Sequence, residues 1–269
     1  MIDLDKALKC ATKAAIIGRQ VLTEYFGRLA HVSEKDQAGL VSEADKESER
    51  QISEYLLSEM PEIAILGEES AYNKQGFGLV GDERKKGLWL IDPLDGTTNY
   101  VHKLPIYCVS IGLEFAGELQ VAVVDVPTLD RFYTAVRGRG AFVNGERMQV
   151  SNRFPVSNAL LATGFSSYDK AALAQQLKVF GSLVGEARGI RRAGSAAYDL
   201  CLVAEGVFDG YWERNLQPWD SAAGALLVRE AGGMVTNYNG EKYDPFDNTL
   251  VAGNPKIHQF LRERINSVK

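Results

Sequence analysis

Cysteine, histidine and surplus positive charge are all scarce in this chain. Its three cysteines, Cys10, Cys108 and Cys201, lie far apart with no CxxC pair, which excludes a disulfide framework and fits buried thiols in a reducing compartment. Three histidines are too few to make a His/Cys zinc site a reasonable expectation. Acids outnumber bases, 35 Asp and Glu against 30 Lys and Arg, for a formal net charge of −5. A sequence-independent nucleic-acid binder needs the opposite balance to replace phosphate counterions. Small metabolites are the expected partners, and an anionic one needs local neutralisation. No apolar run reaches membrane-spanning length, and the opening "MIDLDKALKCATKAA" places acids early in an amphipathic pattern. Neither a span nor a leader is expected, and the chain reads as cytoplasmic.

What is present suits a packed protein. Hydrophobic residues make up 45% of the 269, enough for a sizeable core in one large domain or two tightly joined halves. Residues 3 to 26 place Leu4, Ala7, Leu8, Ala11, Ala14, Ala15, Val21 and Leu22 at helical spacing, and Ile52, Tyr55 and Leu56 repeat the pattern before Pro61. Residues 106 to 148 change character: "YCVSIGLEF", "LQVAVVDV", "RFYTAV" and "GAFVNG" are short apolar or alternating runs cut by Gly, Pro and Asp, as in an antiparallel meander. From about residue 155, strand-like "LLATGF", "GIRRA", "FDGYWE", "GMVTNY" and "LVAGN" alternate with helical "AALAQQLKVFGSL", "SAAYDLCLVAEG", "SAAGALLVREAG" and "KIHQFLRERI". The chain therefore reads as an α+β half, 1–153, followed by an α/β half, 154–269. No long linker, repeat or low-complexity tract divides them, so one catalytic-sized unit over 1–269 is expected.

The run "GFGLVG" at residues 76 to 81 matches GxGxxG. It follows the polar "SAYNKQ" and leads into "DERKKG", where a dinucleotide fingerprint must follow a strand and open a helix. A loop is the expectation there.

The stretch "WLIDPLDGTTNYVHKLP", residues 89 to 105, is different. Trp89, Leu90 and Ile91 drive a strand into a core, and Pro93 is expected to end it, because proline cannot donate a ladder hydrogen bond and pushes Asp92 into an extended conformation. Asp92 and Asp95 then converge at the strand's carboxyl end. Gly96 lets an anion approach the backbone, and Thr97 or Thr98 is a candidate cap for a short helix whose first N–H groups suit a phosphate. Hard-cation ligands beside a phosphate cradle are what metal-assisted phosphoryl hydrolysis requires. The bland alternative is an Asp-Gly turn with solvated carboxylates.

Other carboxylates shift that balance. In "LGEES", Glu68 and Glu69 follow the apolar run from Ile63 to Leu66; in "PWDSAAGALLVREAGG", Asp220 stands at the start of a helix. Each has an innocent reading, Glu68 as a loop acid and Asp220 as an N-cap. Asp45, in "SEAD" at 42 to 45, also fits a capping box opening the second helix. Their co-occurrence with the DPLDGTT turn argues for a site.

"GEES", "WLIDPLDGTTNYVH" and "PWDSAAGALLVREAGG" resemble, in order and over nearly the whole chain, the three signatures of the inositol monophosphatase family. The resemblance implies a layered α/β/α/β/α sandwich of the inositol monophosphatase and fructose-1,6-bisphosphatase type, usually a homodimer, and magnesium-dependent hydrolysis of a phosphate monoester. Thr98 and Asn99 favour the inositol phosphatase branch. The segment between Glu68 and Asp92 looks a few residues longer than the family pattern, so the 71–87 stretch is a place where access or a subunit contact can differ. Carried over residue by residue, the resemblance implies that Glu68, Asp92, the Leu94 carbonyl, Asp95 and Asp220 hold two or three magnesium ions, for which manganese can substitute. It implies that Thr97 pairs with Asp45 to orient and deprotonate a metal-bound water, with Glu68 also catalytic, and that the Gly96 and Thr97 amides hold the phosphate. Asp95, Gly194, Ser195, Ala196 and Glu213 are the implied contacts to the rest of the substrate. Glu213 has a plain alternative as an ion-pair partner of Arg214, Arg191 or Arg192. Lys35 matches a family lysine near the metals, against the plain reading of a solvated surface lysine.

Magnitudes explain the ions. Phosphate monoester hydrolysis needs accelerations of up to ~10²¹-fold, whereas a positioned acid or base supplies only about 10² to 10⁴. Charge neutralisation by cations must supply most of the rest. Inositol-1-monophosphatase is the first expectation, and a fructose-1,6-bisphosphatase or dual-specificity sugar phosphatase on the same scaffold is the rival. A regulatory or binding protein that keeps the fold is the rival from another class.

Overall fold

The computed structural model of the chain describes residues 2–35, 39–73, 84–165 and 169–268. Two helices form the first layer. Helix α1 (Leu4–Tyr25) is opened by Asp3, whose carboxylate accepts from the Asp5 and Lys6 amides, and it buries Ala7, Ala11, Ala14, Gly18 and Leu22 along one stripe. Helix α2 (Glu43–Glu59) starts from a capping box between Ser42 and Asp45. Ahead of it, β1 (Val32–Lys35) and β2 (Gly39–Ser42) form a small antiparallel pair.

These helices cover one face of a seven-stranded sheet that follows chain order. Its strands are β3 (Ala64–Gly67), β4 (Leu88–Asp95), β5 (Cys108–Phe115), β6 (Glu118–Val126), β7 (Arg131–Val136), β8 (Gly140–Val143) and β9 (Glu146–Arg147). β3 and β4 pair in parallel and the remaining neighbours are antiparallel. β4 is buried along its whole length, and its alternation divides two cores. Trp89 and Ile91 pack with α1 and α2, while Leu88 and Leu90 face the other way.

On that other side lie α6 (Ala196–Ala204) and α7 (Pro218–Glu230), followed by a second sheet of order β11-β10-β12-β14-β13. Its strands are β10 (Leu160–Thr163), β11 (Gly189–Arg191), β12 (Gly210–Arg214), β13 (Met234–Thr236) and β14 (Thr249–Gly253). Ala162, Tyr211, Leu250 and Ala252 face the middle helices, and Leu161, Trp212 and Val251 face the outer pair, α5 (Lys170–Val184) and α8 (Pro255–Ser267). The result is a layered α/β/α/β/α sandwich. Small residues let the middle layer approach closely: a Cβ at Gly112 of β5 would meet the Ala222 Cβ at 3.0 Å, and one at Gly224 would meet the Leu200 Cβ at 2.5 Å. Among the described residues no helix is long and apolar enough to cross a membrane.

Pro93 does not end β4. The strand runs on to Asp95, with Asp92 opposite Ser110 and Asp95 opposite Cys108. Three steps on one strand face two on the other, so the extra residue makes a bulge. A bulge leaves one residue out of the ladder, which is where a proline without an N–H is tolerated. The GxGxxG run at 76 to 81 lies outside the described residues, as does most of the longer 71–87 stretch.

Candidate active site

The bulge aims the two acids of β4. Asp92 Oδ1 accepts from the Leu94 amide at 3.0 Å, and Ser48 of α2 fixes the Pro93 carbonyl at 3.1 Å. Gly96 follows with φ of 95°, a left-handed conformation in which a Cβ would also strike the Ile106 carbonyl at 2.9 Å. It is the N-cap of the short helix α4 (Thr97–Val101), which has no side-chain cap. Thr97 and Thr98, the residues expected to cap it, do not. The Thr97 hydroxyl instead turns back to Asp45 Oδ1 at 2.9 Å and the Leu94 carbonyl at 3.1 Å. The other Asp45 oxygen accepts from the Ser42 amide and hydroxyl at 2.8 and 2.6 Å. Asp45 therefore serves the capping box and Thr97 at once, one oxygen for each.

Glu68 opens α3 (Glu68–Asn73) directly after β3. Glu49, buried in α2, accepts from the Glu69 and Ser70 amides at 2.7 and 2.8 Å and pins that helix start. Asp220 is the third residue of α7, not its N-cap: Gln217 holds the cap position, and Asp220 Oδ2 accepts from the Gln217 amide at 2.8 Å. Pro218 fills the first helical position, where no N–H is needed, and this displaces the acid inward by a turn. Asp95 reaches across to the second half of the chain, where Oδ2 accepts from the Ser195 hydroxyl at 2.7 Å and the Ala197 amide at 2.8 Å.

A cavity of about 280 Å³ gathers these groups. Glu68, Asp92, Leu94, Asp95, Gly96, Thr97 and Asp220 line it, together with Gly194, Ser195, Ala196 and Glu213. Asp45 sits fully buried behind Thr97. Lys35 closes β1, but its side chain is not among those described. Glu213 takes its hydrogen bond from the Tyr211 hydroxyl; the Arg214 guanidinium reaches Gln175 instead, so the ion-pair alternative with Arg214 is not realised.

The electrostatics are those of acids held together. Burial, then repulsion from Glu68, Asp95 and Asp220, lifts the Asp92 carboxyl well above the usual carboxylate range. Burial and Glu68 do the same to Asp220. Burial raises Asp95 too, against the lowering effect of Ser195 and the Ala197 amide. Glu213 is pushed up to about 7 by burial, against its Tyr211 bond and the nearby Arg192. Among the described residues no three His, Cys, Asp or Glu side chains close into a preformed coordination group. The fit to an ion rests on donor chemistry: carboxylates that repel one another around a cavity, beside the Leu94 carbonyl, are the all-oxygen set a hard divalent cation prefers.

Some contributors make contacts at the site that the sequence does not announce. Asn99 donates to the Ile106 and Ala193 carbonyls, each at 2.8 Å, and so ties the DGTT turn to the strand-to-helix corner before Ser195. Glu49 reaches the site through the Glu69 and Ser70 amides, Tyr211 through Glu213 two residues on, and Arg192 and Asp199 by lining the cavity. Asn99 and Glu49 stand near readable motifs, but nothing in their spacing announces those partners.

The family model described as "Inositol monophosphatase family" matches residues 3–269. The chain belongs to the inositol monophosphatase family. It is 43% identical to the protein named "Nus factor SuhB" of Pseudomonas aeruginosa over 94% of this chain and 93% of that one. It is 38% identical to the "Fructose-1,6-bisphosphatase/inositol-1-monophosphatase" of Aquifex aeolicus, over 97% and 96%. Its fold is similar to the crystal structure of extragenic suppressor protein suhB from Bartonella henselae, with a TM-score of 0.88 and 36% identity over 96% of this chain and 98% of that one. Membership of the inositol monophosphatase family places the chain among phosphatases, and the differing names of these relatives leave the substrate unassigned.

Proposed function

We propose that the chain is a magnesium-dependent phosphatase that hydrolyses the phosphate monoester of a polyol, foremost myo-inositol 1-phosphate. The observation that carries this reading is a single cavity with repelling carboxylates and the Gly96–Thr97 turn beside the wall formed by Ser195, Ala196 and Glu213. In this reading Glu68, Asp92, the Leu94 carbonyl, Asp95 and Asp220 hold two or three ions. When bound, such ions neutralise the phosphate and generate a nucleophile at neutral pH. The residues supply the rest. The Gly96 and Thr97 amides, in the first turn of α4, orient the phosphate. Asp45 fixes the Thr97 hydroxyl, so that Thr97 can accept a proton from attacking water as its own proton passes toward Asp45 Oδ1. Glu213 and the backbone at Gly194, Ser195 and Ala196 receive the substrate's hydroxyls.

The Aquifex relative's double name supports a second reading, a sugar bisphosphatase activity at the same site. The metal ligands cannot separate the two, because they act on the phosphate that both substrates share. The Pseudomonas relative's name supports a binding role beside catalysis. Phosphate release with magnesium tests all three, comparing myo-inositol 1-phosphate, fructose 1,6-bisphosphate, histidinol phosphate and 3′-phosphoadenosine 5′-phosphate. Inositol phosphate is expected to give the highest kcat/KM, with manganese substituting and lithium inhibiting. A chain that released phosphate from none of them would be a binding protein. We read the working form as a cytoplasmic homodimer, and sedimentation of a single-chain species would refute the dimer.

A further inference from the structure

Asp199 has no part in the chemistry above. It stands in the first turn of α6, is 2% exposed, and its Oδ1 finds no hydrogen-bond partner among the described residues. Native folds leave few buried polar atoms in that state, and an unpartnered carboxyl group destabilises the fold that holds it. Yet Asp199 lines the same cavity as Glu213, Ser195 and Ala196. The helical repeat explains how: positions 195, 196 and 199 share one face of α6. Burial first, then the charges of Glu213 and Asp95, oppose its ionisation, and Arg192 favours it. A residue that served only to complement the α6 dipole would need its charge, not an unpartnered oxygen buried beside a cavity.

We propose that Asp199 is a specificity-determining residue that forms, with Glu213, a pair of acceptors for neighbouring hydroxyls on the substrate's alcohol portion. The inference rests on the polyol phosphatase reading given above. One Glu213 oxygen is already taken by the Tyr211 hydroxyl, so a second carboxyl lining the same cavity adds the acceptors that select a leaving group rich in donors. A substrate without those donors leaves both acceptors buried and unpaired, and such sites discriminate strongly against analogues that lack the matching group. Arg192 sits near both carboxyls and offsets part of their charge, which favours a neutral alcohol over an ammonium ion.

The test uses the full chain with magnesium and compares the parent with Asp199→Ala and Asp199→Asn on myo-inositol 1-phosphate, p-nitrophenyl phosphate and phosphoethanolamine. The Ala variant should lower the ratio of kcat/KM for inositol phosphate over aryl phosphate tenfold or more, chiefly through KM. The Asn variant, which keeps an acceptor, should lower it less. Without metal, the thermal midpoint of both variants should equal or exceed the parent's, because an unpartnered buried acid is gone. Equal losses on the inositol and aryl substrates, or an unchanged ratio, would overturn the inference. So would a greater loss on phosphoethanolamine, which would assign Asp199 to a cation. A lowered midpoint with an unchanged ratio would assign it to the helix dipole. A parent enzyme that cleaves the aryl phosphate but not inositol phosphate refutes the polyol reading itself, and does so before any variant is compared.

Discussion

Asp92 and Asp220 face one cavity with Glu68, and burial and then the neighbouring carboxylates' charge push the carboxyl of each well above the usual range. Replacing either with Asn removes a charge and keeps the shape. Turnover should fall by several orders of magnitude, while the thermal midpoint without metal stays level or rises because repulsion is relieved. Unfolding of Asp220→Asn with intact specific activity would instead make its bond to the Gln217 amide its whole role. In the same cavity, Glu213→Ala should cost about 1.5 to 3 kcal/mol in kcat/KM on inositol 1-phosphate, the usual worth of a hydrogen bond to a charged group. The loss on an aryl phosphate should be much smaller; equal losses would place Glu213 in the scaffold. Among single residues, the acids beside Gly and Pro are legible in the sequence, since strand-end carboxylates next to punctuating residues stand out. Asp45 is legible only as two competing partnerships, the capping box and Thr97, and it makes a hydrogen bond in each because a carboxylate has two oxygens. Asn99, whose partner at Ala193 lies 94 positions away, is legible only in three dimensions.

Elements aim these residues, and their ends are the weak points. Glu49 receives two amides from the start of α3, the helix that presents Glu68. Glu49→Ala should lower stability by about 1 to 3 kcal/mol, through one buried and one half-buried amide left unpaired. It should also weaken divalent-ion affinity as Glu68 loses its anchor; unchanged affinity by calorimetric titration would separate α3 from the metal site. A Cβ at Gly164, just after β10, would overlap the Glu213 carboxylate. The obstructed atoms are the far end of a flexible side chain, so Gly164→Ala should fold normally and raise KM for the polyol substrate. A collapse of stability would show that Glu213 cannot move aside. The helical and strand periods are readable because each element buries one face or two. The ends of elements are less so: Pro93 reads as a strand terminus, but a single extra residue absorbs it as a bulge, and no local rule distinguishes the two.

At the scale of the molecule, two sheets and three helical layers meet so that acids from β4, α3 and α7 crowd together where folding alone would keep them apart. Without metal, raised carboxyls mean that the folded chain binds more protons than the unfolded one between the ordinary carboxylate range and the raised values. Stability from these groups is therefore greatest at low pH and declines as pH rises. For Glu213 the window runs from 4.5 to about 7, so metal-free thermal midpoints of Glu213→Gln should fall less between pH 5 and pH 7 than the parent's. A parallel decline would mean that Glu213 titrates alike in both states. Divalent ions should raise the parent's midpoint with concentration, as any ligand of the native state does. The layered architecture is legible from alternation and helix spacing, whereas the close seating of α7 on β5 depends on Gly112 and that of α7 on α6 on Gly224, whose effect appears only when the elements are brought together. The central claim, that this crowding exists to hold cations against a phosphate, is tested most directly by phosphate release from myo-inositol 1-phosphate as magnesium is titrated into metal-stripped enzyme. The account predicts no turnover in excess EDTA, recovery with magnesium and inhibition by lithium; full activity in excess EDTA would contradict it.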